Sequence, residues 1–162
     1  MSQAPLVFTK EDNDIFVQVL LELLRKSESR CVLLVDQSGR CVARVGSSAQ
    51  LDVDALAALI AGSFASTRAM ASLVGETEFS VLFHQGQHDN IHNVLADNDR
   101  ILSVIFDRRT TVGMVRLYTK QAAEKIAARF REIEAREVAS ESPLRDSMPE
   151  ETGARIDQIF GA

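Results

Sequence analysis

A long segment with almost no charge, residues 51–74, constrains the fold of this chain more than any other feature. Asp52 suits the N-cap of a helix, because its short carboxylate can accept hydrogen bonds from the first free amides. Gly75 follows the last apolar residue, where the left-handed conformation that ends many helices favours glycine. Between Asp54 and Glu76 the only charged residue is Arg68. We therefore predict a long helix that is apolar around most of its circumference.

Two faces of different character follow when the segment is placed on a helical period. One face carries a stripe of bulkier side chains that suits packing on a sheet: Leu56, Ile60, Phe64, Thr67, Ala71 and Val74. The other face carries a stripe of small side chains: Ala58, Ala61, Gly62, Ala65, Ala69 and Ser72. A helix that serves one core normally places charge on its second face, so the small stripe predicts a binding surface. The alternative is a helix buried on both sides.

The hydrophobic periodicity of the remaining chain predicts an α/β fold. The predicted order is helix, two strands, helix, three strands, helix, over residues 10–26, 31–35, 40–45, 51–74, 79–85, 90–96, 100–106 and 111–136. Thr9 is the expected cap of the first helix, and the polar residues 36–39 close a hairpin between the first two strands. Five antiparallel strands with helices on both faces make a three-layer α-β-α sandwich.

We assign residues 1–138 to one domain and residues 139–162 to a C-terminal tail. The first part of the tail is rich in Ser, Glu and Pro and poor in large apolar residues, which is typical of a flexible, solvated linker. Residues 154–160 then place Ile156, Ile159 and Phe160 at helical spacing. This pattern predicts a short segment that docks on a partner. The alternative is that it folds back on its own domain.

The two cysteines do not predict a disulfide scaffold. Cys31 and Cys41 fall in neighbouring predicted strands. With a short turn between them, Cys41 pairs near Leu34 and points to the opposite face of the sheet from Cys31. A disulfide needs Cβ atoms that face each other at short range. We therefore predict that both cysteines are reduced and serve as packing residues.

Composition and motifs exclude several functional classes. A formal net charge of −5 argues against general nucleic-acid binding, which needs a basic face. No apolar run reaches the roughly 18–20 residues of a membrane span, and no signal-peptide pattern occurs at the N-terminus, so we expect a cytoplasmic protein without a membrane span. Glycine-rich phosphate loops and dinucleotide fingerprints are absent from the sequence, so we do not expect a nucleotide hydrolase of the usual type, and we expect no cofactor.

Two groups of residues suggest chemistry at first sight. His84, His88 and His92 are four apart, but a predicted turn at residues 86–89 separates them, so we expect no metal site and no enzyme built on one. Arg108 and Arg109 follow a strand and are candidates for an arginine finger acting on a bound nucleotidase. The alternative, which we favour, is a local role in which Asp107 pairs with one of them at a helix start.

Several motifs together resemble the Roadblock/LC7 domain family. The first are the order of the elements, the hairpin Leu33-Leu34-Val35-Asp36-x-x-Gly39 and the small-residue central helix. Further strings are similar to one branch of that family, the bacterial co-regulators of a small Ras-like GTPase: Ala61-Gly62, Gly75-Glu76-x-Glu78-Phe79, Phe83-His84-x-Gly86, Val104-Ile105-Phe106-Asp107-x-Arg109-Thr110-x-x-Gly113-x-Val115-Arg116-Leu117 and Ile156-Asp157-x-Ile159-Phe160.

The resemblance implies a homodimer whose two sheets join at the third strands. Its implied interface residues are Ala58, Phe79, Val81 and Phe83. The two central helices then lie side by side, and one small Ras-like GTPase contacts both protomers. The resemblance further implies that GTP hydrolysis is stimulated by moving the switch regions of the GTPase, without an arginine finger, in bacterial cell polarity or motility. The implied location is the cytoplasm, with enrichment at a cell pole. The alternative is a scaffold that binds a GTPase or motor component without changing its turnover.

The implied GTPase contacts on the central helix are Ala61, Gly62, Ala65, Ser66, Arg68 and Ala69. The implied contacts in the tail are Ile156, Ile159 and Phe160, and these tail contacts are linked to nucleotide exchange. Arg68 and Ala69 stand where glycine is more usual in the family, which bears on partner choice and affinity.

Overall fold

The computed structural model of the chain describes residues 6–146. Its elements are α1 (Lys10–Lys26), β1 (Cys31–Asp36), β2 (Cys41–Gly46), α2 (Val53–Leu73), β3 (Val81–Gln85), β4 (Asn90–Leu95), β5 (Arg100–Phe106) and α3 (Val112–Asp146). The strands form one five-stranded sheet in the order β2-β1-β5-β4-β3, and every neighbouring pair is antiparallel. The predicted fold class is confirmed.

The helix starts follow from the capping chemistry that the sequence predicted. Thr9 Oγ1 accepts a hydrogen bond from the Asp12 amide at 3.1 Å, and Asp12 Oδ2 accepts one from the Thr9 amide at 2.8 Å. Asp52 Oδ1 accepts a hydrogen bond from the Ala55 amide at 3.0 Å and starts α2. Gly75 has a φ of +82° just after the end of α2, as a left-handed terminating residue should.

The core on the α2 side of the sheet is built from alternate residues of the central strands. Cys31, Leu33 and Val35 of β1 and Ile101 and Ile105 of β5 pack with one stripe of α2. The intervening residues point to the other face, because successive strand side chains alternate. Those residues are fully or almost fully buried: Val32, Leu34, Leu102, Val104 and Phe106.

The pairing of β1 with β2 corrects one prediction. A bulge between Leu34 and Val35 shifts the register, so that Cys41 pairs with Val35 and packs against the same core as Cys31. The prediction that the two cysteines point to opposite faces is therefore wrong, because an inserted residue moves every later side chain to the other face. Both cysteines are free, as predicted.

The chain divides into two compact units. Residues 7–129 contain the sheet, α1, α2 and the first part of α3. The described residues of the second unit are Leu6 and α3 from Phe130 onward, with Phe130 and Ile133 buried and Val138 exposed.

The last helix is longer than predicted. It reaches Asp146, so residues 139–146 of the predicted tail are helical and not an irregular linker. This extension runs through Ser140, Ser142 and Pro143, so intrinsic helix propensity does not account for it. The boundary at residue 138 stays a prediction. Residues 147–162, with Ile156, Ile159 and Phe160, lie outside the described residues.

Candidate functional site

The inner stripe of α2 packs on the sheet largely as predicted. Ile60, Phe64 and Ala71 are 0 to 5% exposed, and Leu56 and Thr67 are half-buried. The prediction that Val74 packs on the sheet is wrong. Val74 is the C-cap residue, beyond the last helical turn, and it is 69% exposed. The inner stripe therefore ends at Ala71.

The outer face of α2 carries the predicted stripe of small residues, with one exception. The exposed members of the stripe are Ala58, Gly62, Ala65, Ala69 and Ser72, and Ser66, one of the implied GTPase contacts, is also exposed. Ala61 is only 8% exposed and belongs to the core. The prediction that Ala61 faces outward is wrong, because it lies one turn from Ala57 and from Phe64 and so falls on their buried side.

Larger apolar side chains also lie on the outside of α2, and sequence reasoning missed them. Leu59 is 70% exposed, Met70 52% and Leu73 86%. Their spacing places them together on the exposed side of the helix, next to Gly62 and Ser66 and about a third of a turn away from Ala65. The spacing of these three apolar residues in the sequence could have identified them. The exposed surface of α2 thus combines a small-residue flank with an apolar flank.

The helix α2 is long and apolar enough to match a membrane-spanning helix in length and composition. Only 22% of its most apolar 18-residue stretch is buried. The expectation that no segment of this kind occurs was wrong. The inner residues Ile60 and Phe64 nevertheless pack in the core of the sheet. The apolar outer face is what gives α2 this composition.

The hydroxyl groups of α2 add little polarity to its surface, because they bond to the helix itself. Ser66 Oγ donates to the Gly62 carbonyl oxygen at 3.1 Å, and Ser63 Oγ donates to the Leu59 carbonyl oxygen at 2.9 Å. Ser72 Oγ donates to the Arg68 carbonyl oxygen at 3.2 Å. Side chains that bond back to the preceding turn offer fewer donors to a partner. The surface therefore suits shape-based docking better than catalysis.

Gly62 has no evident internal reason to be glycine. It is exposed and helical, and a Cβ built at this position would meet no atom within 4 Å. Glycine inside a helix costs roughly 0.5–1 kcal/mol relative to alanine. Since packing within the described chain does not require Gly62, close approach by another molecule is a physical reason for it.

Two features border the outer face of α2. At one end the β1–β2 turn packs against the helix, and Gly39 lies beside Ala58. The other is Arg68 on α2 itself, which is exposed and forms no hydrogen bond or ion pair through its side chain within residues 6–146. It is the one charged group on a surface that is otherwise neutral between Asp54 and Glu76.

The edge strand β3 is shorter than predicted. It begins at Val81, so Phe79 precedes the strand and is half-buried. Among the described strands, β3 pairs only with β4, which leaves its other edge unpaired. Val81 is 44% exposed, and the Phe83 ring stacks on Phe106 with centroids 6.2 Å apart. The implied dimer contacts of Phe79, Val81 and Phe83 stay a prediction.

The histidines lie in different environments. His84 and His88 are exposed, whereas His92 on β4 is 2% exposed. Burial, with a smaller contribution from Arg116, lowers the pKa of His92 to about 4. Within the described residues, no cluster of three His, Cys, Asp or Glu side chains could hold a metal ion.

The paired arginines after β5 have a local role in part. Arg109 Nε donates to Asp107 Oδ1 at 2.9 Å, and this hydrogen bond is the main reason why the pKa of Asp107 lies below its usual value. The predicted pairing with Asp107 is confirmed for Arg109. Arg108 is exposed.

An open depression of about 580 Å³ runs along α1, and three of the charged residues that line it pair with one another. Glu22 bonds to Lys26 at 2.6 Å and to Lys125 at 3.0 Å. These contacts, the bond from Lys26 first, lower the pKa of Glu22 to about 2. A permanently ionised, paired carboxylate is a poor general acid or base at neutral pH. Glu22 is therefore a poor candidate for acid–base catalysis.

Comparison with known proteins gives both a family and structural neighbours. The family model described as the Roadblock/LC7 domain matches residues 15–106. MglB of Myxococcus xanthus is 33% identical with a TM-score of 0.74, over 79% of this chain and 96% of that chain. The gliding protein MglB of Thermus thermophilus is 32% identical with a TM-score of 0.75, over 81% and 99%. An MglB with a tetrameric arrangement is also 32% identical, with a TM-score of 0.76, over 82% and 99%.

Proposed function

The chain belongs to the Roadblock/LC7 domain family, as its motifs suggested, and on that basis we propose that it regulates a small Ras-like GTPase. In this proposal it acts as a homodimer, binds a GTPase similar to MglA, and stimulates GTP hydrolysis. The observation that carries the proposal is the outer face of α2, which is exposed, nearly uncharged and composed of small and apolar side chains. Such a face suits contact with the surface of another protein.

The proposed mechanism acts through the conformation of the GTPase. A partner that binds one conformation more tightly shifts the population towards it. The α2 surface has small side chains and hydroxyls bonded to its own carbonyl groups, so it offers shape and not reactive groups. We infer that docking favours a switch arrangement in which the catalytic residues of the GTPase meet the γ-phosphate. We assign the chain no active site and no arginine finger of its own, and Arg109 is already bonded to Asp107.

The proposed dimer uses the unpaired edge of β3. Exposed strand edges are prone to pair with other strands, and Val81 adds an exposed apolar side chain there. Joining two sheets at β3 lets two α2 helices form one platform, on which two protomers share one GTPase. One of the similar MglB structures has a tetrameric arrangement, which supports assembly of several copies of the chain.

The tail motif with Ile156, Ile159 and Phe160 is assigned a second contact with the GTPase that favours nucleotide exchange. The proposed setting is bacterial cell polarity or motility, in the cytoplasm with enrichment at a pole. Removal of residues 156–162 is expected to weaken exchange or affinity more than activation. Equal loss of both would argue against two separate contacts.

The decisive experiment measures GTP turnover by the MglA-like GTPase of the same genome, with and without this chain. An increase in single-turnover hydrolysis that saturates with added chain supports the proposal. Binding with an unchanged hydrolysis rate would select a scaffold function. Absence of both binding and stimulation would remove the GTPase from the proposal altogether.

A further inference from the structure

Arg68 on α2 forms no ion pair within the described residues, whereas five other arginines do. Ion pairs at 2.6 to 3.0 Å join five arginines to carboxylates: Arg30–Asp89, Arg40–Asp36, Arg100–Asp97, Arg109–Asp107 and Arg129–Asp12. Arg68 has no such partner in the part of the chain that the structure describes. Residues three and four positions away on a helix are its neighbours, and here they are Phe64, Ala65, Ala71 and Ser72. None of them carries a charge.

The small neighbours also leave the guanidinium group accessible. Ala65 and Ser72 are exposed and too short to shield it, and the Ser72 hydroxyl is bonded to helix carbonyl oxygens. A flat partner that covers Ala65 would come within reach of Arg68, because Arg68 lies one turn from Ala65 on the same flank of the helix. Docking would then remove water from a charge that the chain itself does not neutralise.

Removing water from an unpaired charge is strongly unfavourable, whereas a carboxylate placed opposite to it repays that cost through hydrogen bonds of matched geometry. The chain has a net charge of −5, so its overall field repels an acidic partner. A single positive group on the neutral face therefore favours one orientation and one kind of surface.

We propose that Arg68 selects the GTPase by pairing with a carboxylate on the surface that docks on α2. This inference rests on the proposed function, since it concerns the same docking surface. It assigns Arg68 to specificity and orientation, and Ala65 and Ala69 to close fit. The partner is thus a GTPase whose switch surface carries an acidic residue, and GTPases without one are rejected because Arg68 would be buried unpaired.

The test compares Arg68→Glu, Arg68→Ala and Arg68→Lys with the wild-type chain in binding to the MglA-like GTPase loaded with a GTP analogue. Charge reversal is expected to weaken affinity roughly 30-fold or more, and alanine less. Lysine should bind with an affinity between those of the wild type and alanine, because it keeps the charge but loses the planar fork that pairs with a carboxylate through two hydrogen bonds. The difference in affinity between the wild-type chain and Arg68→Glu should narrow with added salt, because salt screens both the attraction of Arg68 for the carboxylate and the repulsion that glutamate introduces. Arg131→Glu on α3 is the matched control at an exposed site.

A second arm reverses exposed acidic residues of the GTPase one at a time. Recovery of Arg68→Glu binding by one of these reversals would identify the paired carboxylate. If the wild-type chain binds and Arg68→Glu binds equally well or more tightly, the inference is wrong while the proposed function stands. If the wild-type chain does not bind, the proposed function fails first. Far-UV circular dichroism and thermal melting establish that each variant is folded.

Discussion

Gly39 in the β1–β2 turn lies against Ala58 of α2, so closely that a Cβ built on Gly39 would stand 2.9 Å from the Ala58 Cα atom. Gly39 also has a φ of +85°, a conformation that side-chain-bearing residues rarely adopt. The turn is therefore fixed by its own backbone and by the small residue opposite. This contact helps to hold the first part of α2, the candidate docking helix, in place on the sheet.

The first prediction concerns this contact. Gly39→Ala should lower the free energy of unfolding by about 1–3 kcal/mol, because it adds both backbone strain and a clash with main-chain atoms. Urea denaturation monitored by circular dichroism measures the change. Unaltered stability would mean that the turn can move away from Ala58 at little cost.

Gly62→Ala should have the opposite effect on stability. The position has open space and ordinary helical geometry, so alanine should raise the free energy of unfolding by about 0.5–1 kcal/mol. If Gly62 serves close approach by a partner, the same variant should weaken GTPase binding or dimerisation. Titration with the GTPase and size-exclusion chromatography with light scattering would detect these losses. A variant that is more stable and binds normally would exclude a contact role for Gly62.

Ala65→Arg and Ala69→Arg should each abolish stimulated GTP hydrolysis while leaving the fold intact. Both sites are exposed, so the longer side chain has space in the free protein but prevents a flat surface from docking. Ala135→Arg, at an exposed position of α3, is the matched control and should leave stimulation unchanged. Stimulation retained by both α2 variants would remove this helix from the mechanism.

The dimer model predicts that Val81→Lys produces a monomer. Val81 is 44% exposed in β3, so the fold should tolerate lysine, whereas an exposed charge at a strand edge discourages pairing with a second edge. Light scattering over a concentration series reports the mass, and the melting temperature in dilute solution reports the fold. A dimer of unchanged affinity would place the interface elsewhere.

Local rules predicted the elements of this fold well, because their signals lie in adjacent residues. The caps at Thr9 and Asp52 and the terminating Gly75 depend on side chains and backbone within a few positions, and each was found where expected. The pattern of bulky and small residues also identified most of α2. The part of the candidate site that lies on one face of α2 could therefore be predicted from the sequence.

The errors came from non-local or subtle effects. The face of Cys41 depended on a bulge that no residue type marks, and the burial of Ala61 depended on how α2 is rotated on the sheet. Alanine is compatible with both sides of a helix, so its type could not decide between them. The position of His92 just after a predicted turn gave no sign that its side chain lies on a covered face of the sheet.

His92 gives the last prediction, a loss of stability in mild acid. Its pKa is about 4 in the folded chain against a usual 6.5, because burial disfavours the charged ring. Below pH 6.5 the unfolded chain binds a proton that the folded chain does not, so stability falls as the pH drops from 6.5 towards 4. At pH 5 the loss should be about 2 kcal/mol.

The variant His92→Leu separates this effect from the carboxylates. Glu22 and Asp107 have lowered pKa values, so their contribution to stability is lost mainly below the pH range in which His92 acts. Urea denaturation at pH 7 and pH 5 should therefore show a fall for the wild-type chain and a much smaller fall for His92→Leu. Equal falls in both proteins would mean that His92 is readily protonated in the fold, either because the ring reaches solvent or because its Nδ1 finds a partner there.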